Sequence, residues 1–178
     1  MSLNANLKLC TWNVTGIMSS ASYLCDLLTD GEIDICGISE HWLPLDNLFF
    51  IDTIISDYDY FAVCDESVNL YGSQKMNKGG VAFLWRDTLA NCIVPLELND
   101  DWIIGIKLQI SPSDYIFIFQ VYLPCVNYSN DVYSEFISKL YDLYCIYSER
   151  GIPVGPYLVQ KRIWYKFVPY SAEYGTTV

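Results

Sequence analysis

The chain has 178 residues, 52% of them hydrophobic and 17% charged. That is enough for one folded domain and excludes disorder throughout. Its 21 acidic residues outnumber 10 basic ones, for a net charge of −11. That is the wrong sign for unaided tight binding to a phosphate backbone but no obstacle to a metal site, since hard cations take carboxylates.

Met1 to Lys8 lacks the basic patch and apolar core of a secretory signal. No apolar run approaches the roughly 20 residues of a spanning helix. An intracellular protein without a membrane segment is expected, with nucleus and cytoplasm both open. Seven cysteines, none in a C-x-x-C pair, and one histidine show no zinc site of ordinary spacing. They read as reduced, buried thiols.

Leu7 to Val14 alternates as a strand does, and Gly16 closes it. Ser19 and Ser20 offer an N-cap to a helix over Ala21 to Leu28, ended by Asp30-Gly31. Ile33 to Ser39 reads as a buried strand, completing an α/β unit. Further strands are expected over 58–64, 81–85, 91–96, 102–110 and 115–123. Gln120 interrupts the apolar run of the last one. Asp65 to Gly80 is a long polar loop, of a length that is uncommon unless functional. A helix over Asn130 to Ser148 follows, capped by Ser129 or Asn130 and ended by Gly151 and Pro153. Tyr133, Phe136, Ile137, Leu140, Tyr144 and Tyr147 are expected along one packed side of it.

The composition then shifts. Residues 1–154 hold 7 basic and 20 acidic residues, a net of −13, whereas residues 155–178 hold 3 and 1, a net of +2. The division expected is a domain over 8–154 and a divergent tail over 155–178.

Asn13 and Glu40 stand at the carboxyl ends of the first two strands, the edge where open α/β sheets bind ligands. The wording around them is informative. Cys10-Thr11-Trp12-Asn13-Val14-Thr15-Gly16 resembles the opening W-N-V-x-G strand of the endonuclease/exonuclease/phosphatase superfamily. Ile33 to Leu43 resembles its D-I-x-x-I-x-E-x-W-L strand, Lys78 to Leu84 its G-G-V-A-I strand, and Val121 to Pro124 its V-Y-x-P strand. The four occur in the family's order. The Ser-Glu-His-Trp-Leu and Tyr-Leu-Pro-Cys forms look most like endonuclease domains of LINE-type (non-LTR) retrotransposons, and less like phosphoinositide or sphingolipid phosphoesterases.

That resemblance implies a four-layer α/β sandwich and metal-dependent hydrolysis of DNA phosphodiesters. It implies Glu40 as ligand to Mg2+, Asn13 as the amide organising that carboxylate and the phosphate, and Tyr122 as a hydroxyl reaching the phosphate. The chain also departs from the family. It contains no Gly-Asp-x-Asn and no Ser-Asp-His, its only histidine is His41, and Cys125 stands where many relatives carry Asn. The expectation is therefore a partial sandwich, truncated on its carboxyl side, that binds Mg2+ weakly and binds DNA poorly. Three readings stay open: a nuclease lineage inactive as this chain alone, a silent remnant or binding fragment, and, less favoured by the wording, a phosphoinositide or sphingolipid phosphoesterase. Lost strands would leave an open sheet edge, through which the chain would self-associate.

Overall fold

The computed structural model describes residues 7–64, 79–123, 130–148, 152–154 and 164–168. The segments expected as a long polar loop and as the cap of the second helix fall mostly outside these, as does Cys125. Two sheets stack face to face. In the first, β1 (Leu7–Asn13) and β2 (Ile35–Ser39) run parallel, joined by α1 (Ile17–Asp30). β3 (Tyr58–Val63) and β4 (Val81–Arg86) extend it antiparallel. β9 (Trp164–Val168) pairs antiparallel with β1, giving the order β3-β4-β2-β1-β9. The second sheet has the order β5-β6-β7-β8. Its strands are β5 (Ile93–Leu96), β6 (Ile103–Gln109), β7 (Tyr115–Val121) and β8 (Ile152–Val154). α2 (Asn130–Ser148) connects β7 to the parallel β8.

The alternation of each strand builds three apolar layers. Cys36, Ile38, Ala82 and Leu84 face outward and receive Ile17, Leu24 and Leu28 of α1. Ile35, Val81, Phe83 and Trp85 face inward and meet Ile104, Ile106, Leu108 and Ile118 of the second sheet. Phe117, Phe119 and Val121 leave the other side of β7 to pack on Phe136, Leu140, Leu143 and Tyr147 of α2. Helix, sheet, sheet and helix make the four-layer α/β sandwich that the motifs imply.

Four details differ from the sequence expectation. α1 begins at Ile17, and neither Ser19 nor Ser20 caps it. Their hydroxyls donate back to the carbonyls of Gly16 at 2.9 Å and Val14 at 2.8 Å. The first amides of the helix turn to carbonyls beyond β2 instead: Gly16 N to Glu40 O at 2.8 Å and Ile17 N to His41 O at 3.1 Å. Asp87–Cys92 forms 3-10 turns, so β5 starts only at Ile93. On α2 the packed stripe is Phe136, Leu140, Leu143 and Tyr147, at helical spacing. Tyr133, Ile137 and Tyr144 lie on the exposed side. Pro153, expected to end α2, stands within β8.

The end of the sandwich away from the carboxyl ends of β1 and β2 is tied by polar groups. Asp34 accepts from the Lys8 amide at 2.8 Å and pairs with Arg86 at 3.5 Å. The Tyr58 hydroxyl donates to the carbonyl of Ile33, which also accepts from Arg86 Nε at 3.1 Å. Burial pushes the Tyr58 phenol up to about 12. At the opposite end, beside Tyr122, Asp100 in the β5–β6 turn accepts from the amides of Trp102 and Ile103 at 2.7 and 2.9 Å and pairs with Lys139 of α2. Among the described residues, no helix is long and apolar enough to cross a membrane.

Candidate active site

Parallel register sets Asn13 beside Ser39 at the carboxyl ends of β1 and β2. Glu40 follows immediately, with a φ of 58°, a left-handed conformation that is uncommon for a residue with a Cβ. This turn sends the Glu40 carbonyl to the start of α1 and brings its carboxylate back over the sheet edge. There Asn13 Nδ2 donates to Glu40 Oε1 at 2.8 Å. The other end of the Asn13 amide is also held: Oδ1 accepts from the Thr15 amide at 3.1 Å and the Thr15 hydroxyl at 3.2 Å. With both ends engaged, the amide cannot flip without losing three bonds.

His41 serves the scaffold. It is 1% exposed. Its Nδ1 accepts from the Leu43 amide at 3.0 Å, so Nε2 carries the hydrogen and donates to the Val63 carbonyl at 2.9 Å. Burial holds its pKa below the usual histidine value. With both nitrogens committed and the ring enclosed, His41 has no lone pair to offer a substrate. Gly80, at a φ of 83°, supplies the space: a Cβ there would overlap the Nε2–Cε1 edge of the ring. The next residue, Trp42, is again left-handed at 57°, and its amide donates to Gly79 O at 3.0 Å. Its indole covers Gly16, where a Cβ would stand 2.9 Å from Cε3. Two glycine turns thus clamp the segment that carries Glu40.

Tyr122 lies one residue past β7. Its amide donates to the Trp102 carbonyl at 2.8 Å and its ring packs against the core between the sheets. The sequence showed Thr15 and Gly80 only as parts of motifs. Their neighbours in space, Asn13 Oδ1 and the His41 ring, emerge from the turn geometry.

The donor set bears on the implied metal. Among the described residues, no group of three or more His, Cys, Asp or Glu side chains is placed to hold an ion. Glu40 Oε1 accepts from Asn13. One carboxylate suits a hard cation that retains most of its waters, as Mg2+ does, and does not make a dehydrated cage.

The comparisons agree with this fold. The solved structures most like it include an AP endonuclease from Archaeoglobus fulgidus, 20% identical, with a TM-score of 0.53 over 80% of this chain and 51% of that one. A 3′ phosphatase NExo from Neisseria, bound to a product DNA hairpin, is 18% identical, with a TM-score of 0.53 over 80% and 53%. A mannosyl-6-phosphatase from Bacteroides thetaiotaomicron is 13% identical, with a TM-score of 0.57 over 82% and 62%. At these identities the likeness is one of fold, and the chain spans about half the length of the first two. No curated protein matches the sequence. The model of the Endonuclease/Exonuclease/phosphatase family matches residues 10–167, past the composition shift at 155, and the chain belongs to that family.

Proposed function

We propose that the chain carries part of a metal-dependent, DNA-nicking phosphodiesterase of the LINE-type retrotransposon kind, and that by itself it is catalytically silent. The observation that carries the lineage is the 2.8 Å bond from Asn13 to Glu40 at the carboxyl edge of two parallel strands. In this reading Glu40 Oε2 holds Mg2+, which when bound would neutralise charge on the phosphoryl oxygens. Asn13 fixes the Glu40 rotamer through Nδ2 and is itself fixed by Thr15. The Tyr122 hydroxyl contacts the phosphate.

Three features support silence. Proton transfer by a positioned base typically contributes about 10²–10⁴-fold, and the only histidine is buried with both nitrogens bonded. A single carboxylate gives part of the electrostatic stabilisation that usually dominates such reactions. A net charge of −11 repels the substrate. Supercoiled plasmid incubated with the chain and Mg2+ or Mn2+ is expected to stay unnicked. Metal-dependent nicking that disappears in both Glu40→Ala and Asn13→Ala would overturn the silence. For the retrotransposon origin, the adjoining genomic sequence is decisive: a reverse-transcriptase frame is expected downstream, and an unrelated gene there would count against it.

A further inference from the structure

Gln120 is a polar residue in the middle of the inter-sheet core, 3% exposed, on a strand whose neighbours are apolar. Its Oε1 accepts from the Thr11 hydroxyl at 3.0 Å, and Thr11 is 6% exposed. Burying both groups is costly unless they are paired. Gly37, the strand partner of Thr11 on β2, leaves room for the carboxamide: a Cβ there would stand 2.8 Å from Gln120 Cδ and overlap Oε1. Three strands therefore meet at one polar point, two from the first sheet and one from the second.

Strand alternation gives that point its consequence. Side chains two residues apart share a face. Asn13 follows Thr11 by two on β1, Ser39 follows Gly37 by two on β2, and Tyr122 follows Gln120 by two at the end of β7. Apolar sheet faces slide at little cost, because dispersion has no direction, whereas a hydrogen bond fixes a position to a few tenths of an ångström. We infer that Gln120, bonded to Thr11 and seated on Gly37, is a positioning residue: it fixes where Tyr122 stands relative to the Asn13–Glu40 pair. The inference rests on the reading of those three residues as one metal and phosphate site.

Fluorine NMR of the chain labelled with 3-fluorotyrosine tests it, the Tyr122 signal being assigned by its loss in Tyr122→Phe. Thr11→Val, Gln120→Leu and Gly37→Ala act on the same point from three strands. Each is expected to shift or split the Tyr122 signal, while Thr11→Ser, which keeps the hydroxyl, restores the wild-type position. Leu28→Ala, in the layer under α1, is the control for lost stability alone and is expected to leave the Tyr122 signal in place. Thr11→Val is nearly isosteric and carries the test if the other variants fail to fold. A Tyr122 signal unmoved in folded Thr11→Val, or moved equally by Leu28→Ala, overturns the inference. Mn2+ addition separates the underlying reading: the ion is expected to broaden Tyr122 in the wild type and not in Glu40→Gln. Shifts in the variants without that broadening would leave an inter-sheet bolt that positions no metal site, and the inference would fail with the reading it rests on.

Discussion

The His41 ring occupies the volume that a side chain on Gly80 would need, and the two residues hold each other in place. The ring is bonded at both nitrogens, to the Leu43 amide and the Val63 carbonyl. Gly80 meets it with a φ of 83° at the start of β4. A methyl at residue 80 would have to displace a bonded, enclosed ring and adopt a strained backbone as well. Gly80→Ala is expected to cost about 3 kcal/mol or more, combining overpacking and left-handed strain. Urea unfolding would show it as a lower midpoint at unchanged slope.

The same burial makes stability depend on pH. The folded pKa of His41 lies below its ordinary value of 6.5 because the charged ring is desolvated. Below pH 6.5 the unfolded chain then binds a proton that the folded chain refuses. This contribution is fully present above pH 6.5 and is lost as pH falls through the folded pKa. Thermal melts between pH 7 and pH 5 are expected to show the wild type losing stability over this range. His41→Gln should be less stable at pH 7 yet show a shallower decline.

At the Asn13–Glu40 pair, an added carboxylate is the informative change. Asn13→Asp replaces a donor by a second carboxylate, 2.8 Å from Glu40 Oε1 in the unrelaxed geometry. It forfeits a hydrogen bond, worth about 1 kcal/mol net, and adds like-charge repulsion. The variant is expected to melt below the wild type without metal, and to gain more than the wild type from millimolar Mg2+. Differential scanning calorimetry with and without the ion reads both effects, and equal gains in the two proteins would contradict the assignment of Glu40 as the ligand.

Tyr58 anchors the opposite end of the sandwich. Its hydroxyl donates to the Ile33 carbonyl and lies 3.3 Å from that of Leu28. Tyr58→Phe removes that buried donor, while Arg86 Nε still reaches the Ile33 carbonyl and the Ile33 amide that of Leu28, and is expected to cost about 1 kcal/mol in chemical denaturation. Because the folded phenol titrates at about 12 against an ordinary 10, the unfolded chain ionises first. The stability that the buried neutral phenol contributes therefore fades as pH rises from 10 towards 12. Wild type and Tyr58→Phe should converge in stability across that interval.

Much of this protein was legible in local patterning. Alternation located β1, β3, β4, β6 and β7 to within two residues, because an alternating or continuous apolar run has few other uses in a chain this short of charge. The family emerged from four short motifs in order, since each is a strand end with a fixed side-chain requirement. The start of α1 was not legible: its cap is a pair of carbonyls from the segment after β2, which no property of Ser19 or Ser20 encodes. The packed face of α2 was only half right. A helix with apolar residues on most sides gives periodicity no means of choosing, and contact with Phe117 and Phe119 of β7 selected Phe136, Leu140, Leu143 and Tyr147.

The sequence by itself determined the residue types at the carboxyl ends of β1 and β2, since these are composition and order. Only the tertiary structure decided what those residues touch. Parallel register and the left-handed turn at Glu40 created its bond to Asn13. Enclosure by Val63, Leu43 and Gly80 turned the one histidine into a strut. The strand at Trp164–Val168, within a segment whose composition departs from all that precedes it, closed the β1 edge. Backbone hydrogen bonds accept almost any side chain, so such pairing leaves little trace in residue identity.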